Sequence, residues 1–310
     1  MKLRKHSLLK SRPTDLKKSV INVTSFSNLW EARRWASLFL KEYNREEGVA
    51  DWLLMDLMSM SKAQLLAAMR DDFPQEVQDT FIKQIYQHVE NGTPVQHLTG
   101  YAHFYGRKFT VSPAVLIPRP ETEELVQLAL GQIAQEFQDG QPVKVIDIGT
   151  GSGIIAITLK KENPSLQVQA VDISEEALNV ARQNAQELEA DVEFLKGDFL
   201  TPFIDAGQKA EVIISNPPYI SPEDEASLDD VVRLHDPGLA LFAEDNGLAA
   251  YKRMIQQLLE VVADRALVAF EIGDEQGRAV KKLLQSAFPT AEPKVIQDIN
   301  QKDRIVYAWV

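Results

Sequence analysis

The residues of this chain best equipped for chemistry are Asn216, Pro217, Pro218 and Tyr219. They follow an apolar run, residues 211–214, that reads as a buried strand. An amide, two prolines and a ring therefore stand at the carboxyl end of a strand, the edge at which open α/β sheets bind ligands. Neither proline can donate to a sheet ladder, so the strand must end there. Their fixed φ makes a stiff loop that holds Asn216 and Tyr219 at set positions. The carbonyl before each proline is left free to accept a hydrogen bond, and the Asn216 side chain adds another acceptor. Acceptors in one plane with a ring face beside them suit a planar NH2 group, either a carboxamide or a nucleobase amine.

A second cluster lies upstream. Val145, Ile146, Asp147 and Ile148 run into Gly149, Thr150, Gly151, Ser152 and Gly153, a strand leading through a glycine turn to a helix start. Alternate glycines let backbone approach a ligand closely, and the helix N-terminus behind them favours an anionic group. The dinucleotide fingerprint needs a third glycine where this chain has Ile154, and no Gly-Lys-Ser/Thr follows, so a small nucleoside ligand fits better than a pyrophosphate. Asp172, at the end of the next strand, can accept both hydroxyls of a ribose. Asp198 and Phe199 follow the third strand, where a carboxylate and a ring could meet an adenine amine and face. Alone, each acid is more often a helix cap or a solvated charge than a ligand, Asp172 before Ser174 and Glu175 especially. Together with the glycine turn they point to nucleoside binding.

The elements that must position these groups alternate after Gly140. Strands are expected over residues 143–148, 167–173, 192–196, 211–214 and 266–272. Helices are expected over 154–161, 175–187, 248–262 and 274–286, and a closing antiparallel hairpin over 294–299 and 304–310. This predicts an α/β fold with a mostly parallel sheet covered on both faces. The earlier part is helical. Asn28 with Glu31 suggests a capping box, and Leu29, Ala32, Arg33, Ala36, Phe39 and Leu40 form a stripe at helical spacing. Further helices are expected over 50–58, 62–70 and 75–90, with Ser61 and Pro74 at starts and Asn91-Gly92 as a stop. Trp52, Leu53, Met55, Leu57 and Met58 read as core.

The expected divisions are a basic tail over 1–22, a helical substrate-docking domain over 23–93, a hairpin linker over 94–120 and a catalytic domain over 121–310. Within the linker, 101–105 and 108–111 pair around Gly106-Arg107. Residues 117–123 end it as a polar loop, before a helix over 125–137. Arg119, Glu121 and Glu123 are open between lining the site and a solvated loop.

The 310 residues suffice for one large or two modest domains, and 45 % apolar content suffices for their cores. With no cysteine, disulfides, thiol nucleophiles and cysteine-ligated metals are excluded. No apolar run is long enough to span a membrane, so a cytoplasmic protein with no membrane partner is expected. The net charge is -12; the first 22 residues hold seven Lys/Arg and one Asp (+6), leaving -18 for the rest. A body that acidic repels phosphate backbones, so direct nucleic-acid binding is not expected. His88, His97, His103 and His235 share no metal-binding spacing, and no metal is expected.

Asp147 to Gly153, Asp172 and Asn216 to Tyr219 together resemble a class I methyltransferase that uses S-adenosylmethionine to methylate a planar nitrogen. The helical start, the hairpin, Leu116-Ile117-Pro118-Arg119-Pro120-Glu121-Thr122-Glu123 and the ending Asp303-Arg304 narrow the resemblance to the release factor glutamine methyltransferase family, over residues 28 to 310. The resemblance implies a Rossmann-like seven-stranded sheet with its last strand antiparallel. It implies S-adenosylmethionine as cofactor and, as substrate, the glutamine of the Gly-Gly-Gln motif in class 1 peptide chain release factors. Carried over by position, Gly149, Thr150, Gly151, Ser152, Gly153, Asp172, Phe199 and Asn216 contact the cofactor. Asn216, Pro217, Pro218 and Tyr219 hold the glutamine amide, with Asn216, Pro217 and Tyr219 as the catalytic set. Phe199 stands where relatives often have tryptophan. A ribosomal-protein glutamine, an adenine in nucleic acid, or a non-catalytic binding role are the rival expectations.

Overall fold

The computed structural model describes residues 25–138 and 141–310, so the basic tail expected over 1–22 lies outside it. The chain forms two compact units, the first ending at Thr99 and the second running from Gly100 to Val310.

The first unit is all-helical: α1 (Leu29–Glu42), α2 (Gly48–Leu57), α3 (Lys62–Ala67), α4 (Gln75–Asn91) and α5 (Val95–Thr99). Asn28 caps α1 by accepting from Glu31 N at 3.0 Å, but the reciprocal bond reaches Ser27 N at 2.9 Å rather than Asn28. The complete capping box is at Ser61 and Gln64, which opens α3. Leu29, Ala32, Ala36 and Leu40 bury one stripe of α1 against Leu53, Leu54, Phe81 and Ile85. Arg33, expected in that stripe, instead pairs with Asp51 at its edge. Leu53 is buried, while Trp52, Met55, Leu57 and Met58 pack partly buried on the same core. The left-handed Gly92 ends α4 as the sequence indicated. Gln78, buried, accepts from Phe26 N and donates to the Phe26 and Phe73 carbonyls, tying the segment before α1 to the loop before α4.

The second unit opens with a hairpin, β1 (Tyr101–Phe104) and β2 (Arg107–Thr110). Its turn is Tyr105-Gly106, one residue earlier than expected, because both residues take positive φ as a tight two-residue turn requires. The remainder is α6 (Pro120–Glu136), β3 (Lys144–Ile148), α7 (Ile154–Glu162), β4 (Gln167–Asp172), α8 (Glu175–Glu187), β5 (Val192–Lys196), α9 (Thr201–Asp205) and β6 (Ala210–Ser215). After a 3-10 turn at Pro222–Ser227 come α10 (Asp230–His235), α11 (Gly238–Leu241), α12 (Glu244–Gly247), α13 (Ala249–Val261), β7 (Val262–Glu271), α14 (Gly277–Ala287), β8 (Lys294–Gln297) and β9 (Asp303–Trp309).

The seven strands β3 to β9 lie in the order β5-β4-β3-β6-β7-β9-β8, and β9, the last in the chain, alone runs against the direction of the other six. Side chains alternate between two cores, as period-two strands demand. Val145, Val168, Val212, Ile214, Leu267 and Ala269 face α6 and α7. Ile146, Ile148, Val171, Ile213, Val268 and Phe270 face α13 and α14. Both faces are thus covered, which explains why these strands read as continuous apolar runs.

One expected boundary fails informatively. Residues 120–123 are not a loop: Pro120 opens α6 and Glu121 and Glu123 occupy its first turn. Proline at the first helical position and acids beside the helix's positive end are both favourable there. The hairpin expected as a linker is hydrogen-bonded within the second unit. Thr110 N donates to Asn184 Oδ1 at 2.7 Å, and Tyr105 N donates to Glu123 Oε1 at 2.6 Å.

Candidate active site

Strand register assembles the site. Ile148 pairs with Val171 on one side and Ser215 on the other, and Ser215 pairs with Phe270. The next residue of each strand is therefore Gly149, Asp172, Asn216 and Glu271. Four chemically distinct groups stand in one row along the carboxyl edge of a parallel sheet. The chain also turns back at β3, with β4 and β5 on one side and β6 and β7 on the other. Gly149 and Asn216 flank this switch point, where such folds bind ligands.

Between them opens a cavity of about 410 Å³, lined by Gly149, Thr150, Gly151, Ser152, Asp172, Phe199, Asn216 and Pro218 among others. Its size is that of a small-molecule site. The glycine turn is tied to β4, since Gly149 N and Thr150 N both donate to the Val171 carbonyl. Asp172 accepts from Gly151 N at 2.9 Å through one oxygen and from Ser174 N at 2.9 Å through the other. Burial raises its pKa while these backbone donors oppose the rise. Each carboxylate oxygen keeps lone-pair capacity for a further donor. Gly153 does not line the cavity. It takes φ 82° at the start of α7, and a Cβ there would meet Ile157 at 2.8 Å and Ala181 at 3.2 Å. Its role is close packing of α7 against α8.

Asp147, in β3 two residues before the glycine turn, is fully buried. Thr150 Oγ1 and Ala156 N both donate to its Oδ2, at 2.7 and 3.2 Å. Its Oδ1 and the Ser152 hydroxyl, both buried, make no hydrogen bond among the described residues. Burial lifts Asp147 to about 7 against those two donors. At the cavity's far wall Phe199 takes positive φ (51°), and the Arg253 guanidinium stands 5.5 Å from its ring centre and pairs with Asp198. Asp198 is therefore engaged on one side by a cation, leaving the Phe199 ring as the wall's apolar face. These features fit S-adenosylmethionine: a backbone cradle at a helix start, a carboxylate with spare acceptor capacity, and an aromatic wall.

A smaller cavity of about 250 Å³ adjoins it, lined by Tyr219 with Glu121, Glu271, Arg304 and the aliphatic Ile220 and Val232. Leu116, Arg119, Asn216 and Ala240 line both cavities. Asn216 thus stands at the junction, Pro218 faces the larger cavity, Tyr219 lines the smaller one, and Pro217 is buried and lines neither. The Asn216 amide nitrogen donates to Thr122 Oγ1 at 3.1 Å, and Thr122 donates to Glu271 Oε2 at 2.7 Å. Thr122 and Glu271 are both buried. Burial drives the Glu271 carboxyl up to about 7, countered by the Thr122 hydrogen bond, the Arg304 charge and the nearby Asn216 amide, which bears on Glu271 directly as well as through Thr122. Burial also pushes the Tyr219 phenol up to about 12, so it stays neutral at physiological pH.

The loop's rigidity has partners beyond its prolines. The Tyr219 carbonyl accepts from Gln276 Nε2 at 2.9 Å, and Ile220 exchanges backbone hydrogen bonds with Leu241 and Ala243. Gly247 passes so close that a Cβ there would fall 2.0 Å from the Tyr219 oxygen. Residues 220–247, for which the sequence offered no reading, form the 3-10 turn and the short helices α10 to α12, which roof the site through Pro237, Leu239, Ala240 and Phe242. Asp236 latches them by pairing with Arg119 at 2.6 Å.

Of the expected site residues, the structure gathers Gly149, Thr150, Gly151, Ser152, Asp172, Phe199, Asn216 and Pro218 around one cavity. Of the three left open, Arg119 lines both cavities, Glu121 lines the smaller one, and Glu123 anchors the hairpin. Sequence reasoning missed Thr122, Glu271, Asp236 and Gln276. Glu271 alone carried a signal, as an acid in the otherwise apolar run from Ala266 to Ile272. Among the described residues no group of three or more His, Cys, Asp or Glu could hold a metal, and no helix is long and apolar enough to cross a membrane.

Comparison with known proteins agrees with this geometry. Residues 31–100 match the PrmC N-terminal domain and residues 128–233 the Methyltransferase small domain. The chain is 47 % identical over 280 residues to the release factor glutamine methyltransferase of Bacillus cereus, covering 90 % of this chain and 98 % of that protein. It is 47 % identical over 282 residues to the protein of that name in Bacillus subtilis, covering 91 % and 98 %. In fold it is similar to the solved hMettl16 catalytic domain in complex with MAT2A 3'UTR hairpin 6. That likeness has a TM-score of 0.51 and 16 % identity, over 74 % of this chain and 80 % of that one. With nearly half its residues identical across almost the whole of such relatives, and with a nucleoside-sized cavity meeting an Asn-Pro-Pro-Tyr corner, this chain belongs to the release factor glutamine methyltransferase family.

Proposed function

We propose that the protein transfers a methyl group from S-adenosylmethionine to the side-chain amide nitrogen of the Gly-Gly-Gln glutamine in class 1 peptide chain release factors. The single observation that carries this reading is the Asn216 amide. Its NH2 end is tethered inward to Thr122, which leaves Oδ1 as an acceptor at the junction of the two cavities. An acceptor there suits a substrate that brings N–H groups.

Gly149, Thr150, Gly151 and Ser152 would hold the amino-acid end of the cofactor, Asp172 its ribose and Phe199 its adenine face. When bound, S-adenosylmethionine supplies a methyl carbon on a sulfonium, whose C–S bond breaks with both electrons staying on sulfur. The protein must prepare the nitrogen. An amide nitrogen is a poor nucleophile because its lone pair is delocalised into the carbonyl. Asn216 Oδ1 accepts an N–H bond of the glutamine amide, while buried Pro217 fixes the backbone that carries it. That bond strengthens as positive charge builds on nitrogen, so it stabilises the transition state more than the ground state. Tyr219, neutral and held by its carbonyl, flanks the amide plane. Positioning for in-line transfer supplies much of the rest. No strong base is required before transfer, since the N-methylated amide can release its extra proton to water.

Removing an acceptor of this kind costs about 10²–10³ in kcat. Asn216→Ala should therefore lower methylation of a purified release factor by about that factor while S-adenosylmethionine still binds by calorimetry. Near-normal transfer by that variant would end the reading. Offering ribosomal protein and DNA as acceptors in parallel, with the methyl group located by mass spectrometry, separates the rival substrates.

A further inference from the structure

We propose that Thr122 and Glu271 are positioning residues for methyl transfer: the buried chain from Asn216 through Thr122 to Glu271 sets which end of the Asn216 amide faces the substrate. The inference rests on the reading of Asn216 as an acceptor given above.

The two ends of an asparagine amide have nearly the same shape and opposite roles. Rotated by half a turn, Asn216 would point its own N–H bonds at those of the incoming carboxamide, and the corner would repel its substrate. The prolines around it stiffen backbone but have no influence on that rotation. Partners of the side chain must decide it. Thr122 has one hydroxyl proton, and the 2.7 Å bond to Glu271 Oε2 takes it. Toward Asn216 the Thr122 oxygen can then only accept, and it accepts from Nδ2 at 3.1 Å. A reversed Asn216 would set its carbonyl oxygen against lone pairs in a site with no solvent to compensate, since Thr122 is 0 % and Glu271 1 % exposed. The direction of the whole chain is therefore written by Glu271, which as a carboxylate only accepts.

The fold explains why these three meet. Leu267 and Ala269 of β7 face α6, and Glu271 continues that alternation onto the same face. Ile214 shares that face on β6, and Asn216 continues it in turn. Thr122 sits in the first turn of α6, directly over both. The charged and titratable groups that bear on Glu271 come from each packed element. Arg304 of β9 favours its carboxylate form and Glu121 of α6 disfavours it, while Tyr219 from the corner and Tyr251 of α13, which donates to the Glu271 backbone carbonyl, stay neutral. Were Glu271 protonated, it could donate to Thr122, Thr122 could donate to Asn216 Oδ1, and the chain would run backwards.

The test uses the full-length protein, labelled S-adenosylmethionine and a purified release factor. Thr122→Val keeps shape and removes the hydroxyl. It should lower kcat by about 100-fold, the order of a misdirected catalytic dipole, with affinity for S-adenosylmethionine within about twofold of the parent by calorimetry. Thr122→Ser restores the hydroxyl and should recover kcat to within about threefold. The parent's kcat should fall as pH drops through about 7, where Glu271 takes up its proton, and Glu271→Gln should flatten that limb. The relay is overturned if Thr122→Val turns over like the parent, or if Thr122→Ser loses as much. It is equally overturned if the loss tracks a matching loss of cofactor affinity and thermal midpoint, which marks a purely structural role. Asn216→Ala run alongside separates the two ideas. If it is inactive while Thr122→Val is normal, only the relay fails, and if it is active, both fail.

Discussion

Arg119 Nη2 and Asp236 Oδ2 lie 2.6 Å apart although 117 residues separate them. The pair joins the N-cap of α6 to the roof of the site. The Asp236 side chain is only 1 % exposed, whereas that of Arg119 is 37 % exposed. Burial raises the Asp236 pKa, and Arg119 with the Ile117 N–H opposes the rise. Removing the arginine strands a buried carboxylate, which is far costlier than losing a surface ion pair. Arg119→Ala should destabilise the second unit by about 1–3 kcal/mol, and limited proteolysis should cut within residues 220–247 faster than in the parent. Asp236→Asn, which leaves no buried charge, should cost less. A variant Arg119→Ala with parental stability and protease resistance would show that the latch carries no energy.

Asp172 is expected to matter twice, as a ligand for ribose hydroxyls and as the acceptor that shapes the Gly151 backbone. Asp172→Ala removes both roles and should weaken S-adenosylmethionine by about 100-fold, or ~2.7 kcal/mol, measured by calorimetry. Asp172→Asn keeps one acceptor oxygen and should fall between. Unchanged affinity in Asp172→Ala would remove this residue from the cofactor site.

Gly247 is a packing device for the Asn-Pro-Pro-Tyr corner. It has φ 77°, and a Cβ would sit 2.0 Å from the Tyr219 carbonyl and 2.6 Å from Gln276 Nε2. Gly247→Ala must displace the corner or break its hydrogen bond to Gln276. Such a substitution should cost about 1–3 kcal/mol by strain and overpacking, and it should lower kcat more than it raises the KM for S-adenosylmethionine. Crystallography of the variant would show the Tyr219 carbonyl shifted, and an unmoved corner with full activity would contradict the assignment.

Two buried acids give stability a predictable pH dependence. Asp147 and Glu271 both rise to about 7 in the folded protein through burial, from ordinary values of 3.8 and 4.5. Between those limits the folded state binds protons that the unfolded state has released. Stability therefore falls as pH rises from about 5 to about 7, by up to ~1.4 kcal/mol per pH unit for each group. Urea denaturation of the ligand-free protein across that range should show the slope, and Asp147→Asn and Glu271→Gln should each flatten it. A stability that increases over the same range would mean that these acids are ionised and well compensated in the folded protein.

The local chemistry is legible along the chain: alternating apolar runs for a doubly covered sheet, a glycine turn after Ile148, an acid closing β4 and a proline-locked corner closing β6. These are legible because strand periodicity, proline's missing donor and glycine's freedom act within a few residues. The same locality let Pro120, as a break, hide the start of α6, and left residues 220–247 unread. How the strand ends meet is set by packing over long sequence distances. Parallel register brings Gly149, Asp172, Asn216 and Glu271 into one row, and the docking of α6 lowers Thr122 onto two of them. No local pattern encodes that meeting, because a hydrogen bond between side chains 94 and 149 positions apart depends on how whole strands and helices pack. The direction in which Asn216 points, on which its chemistry depends, is a property of the packed sheet edge and not of the four residues that announce it.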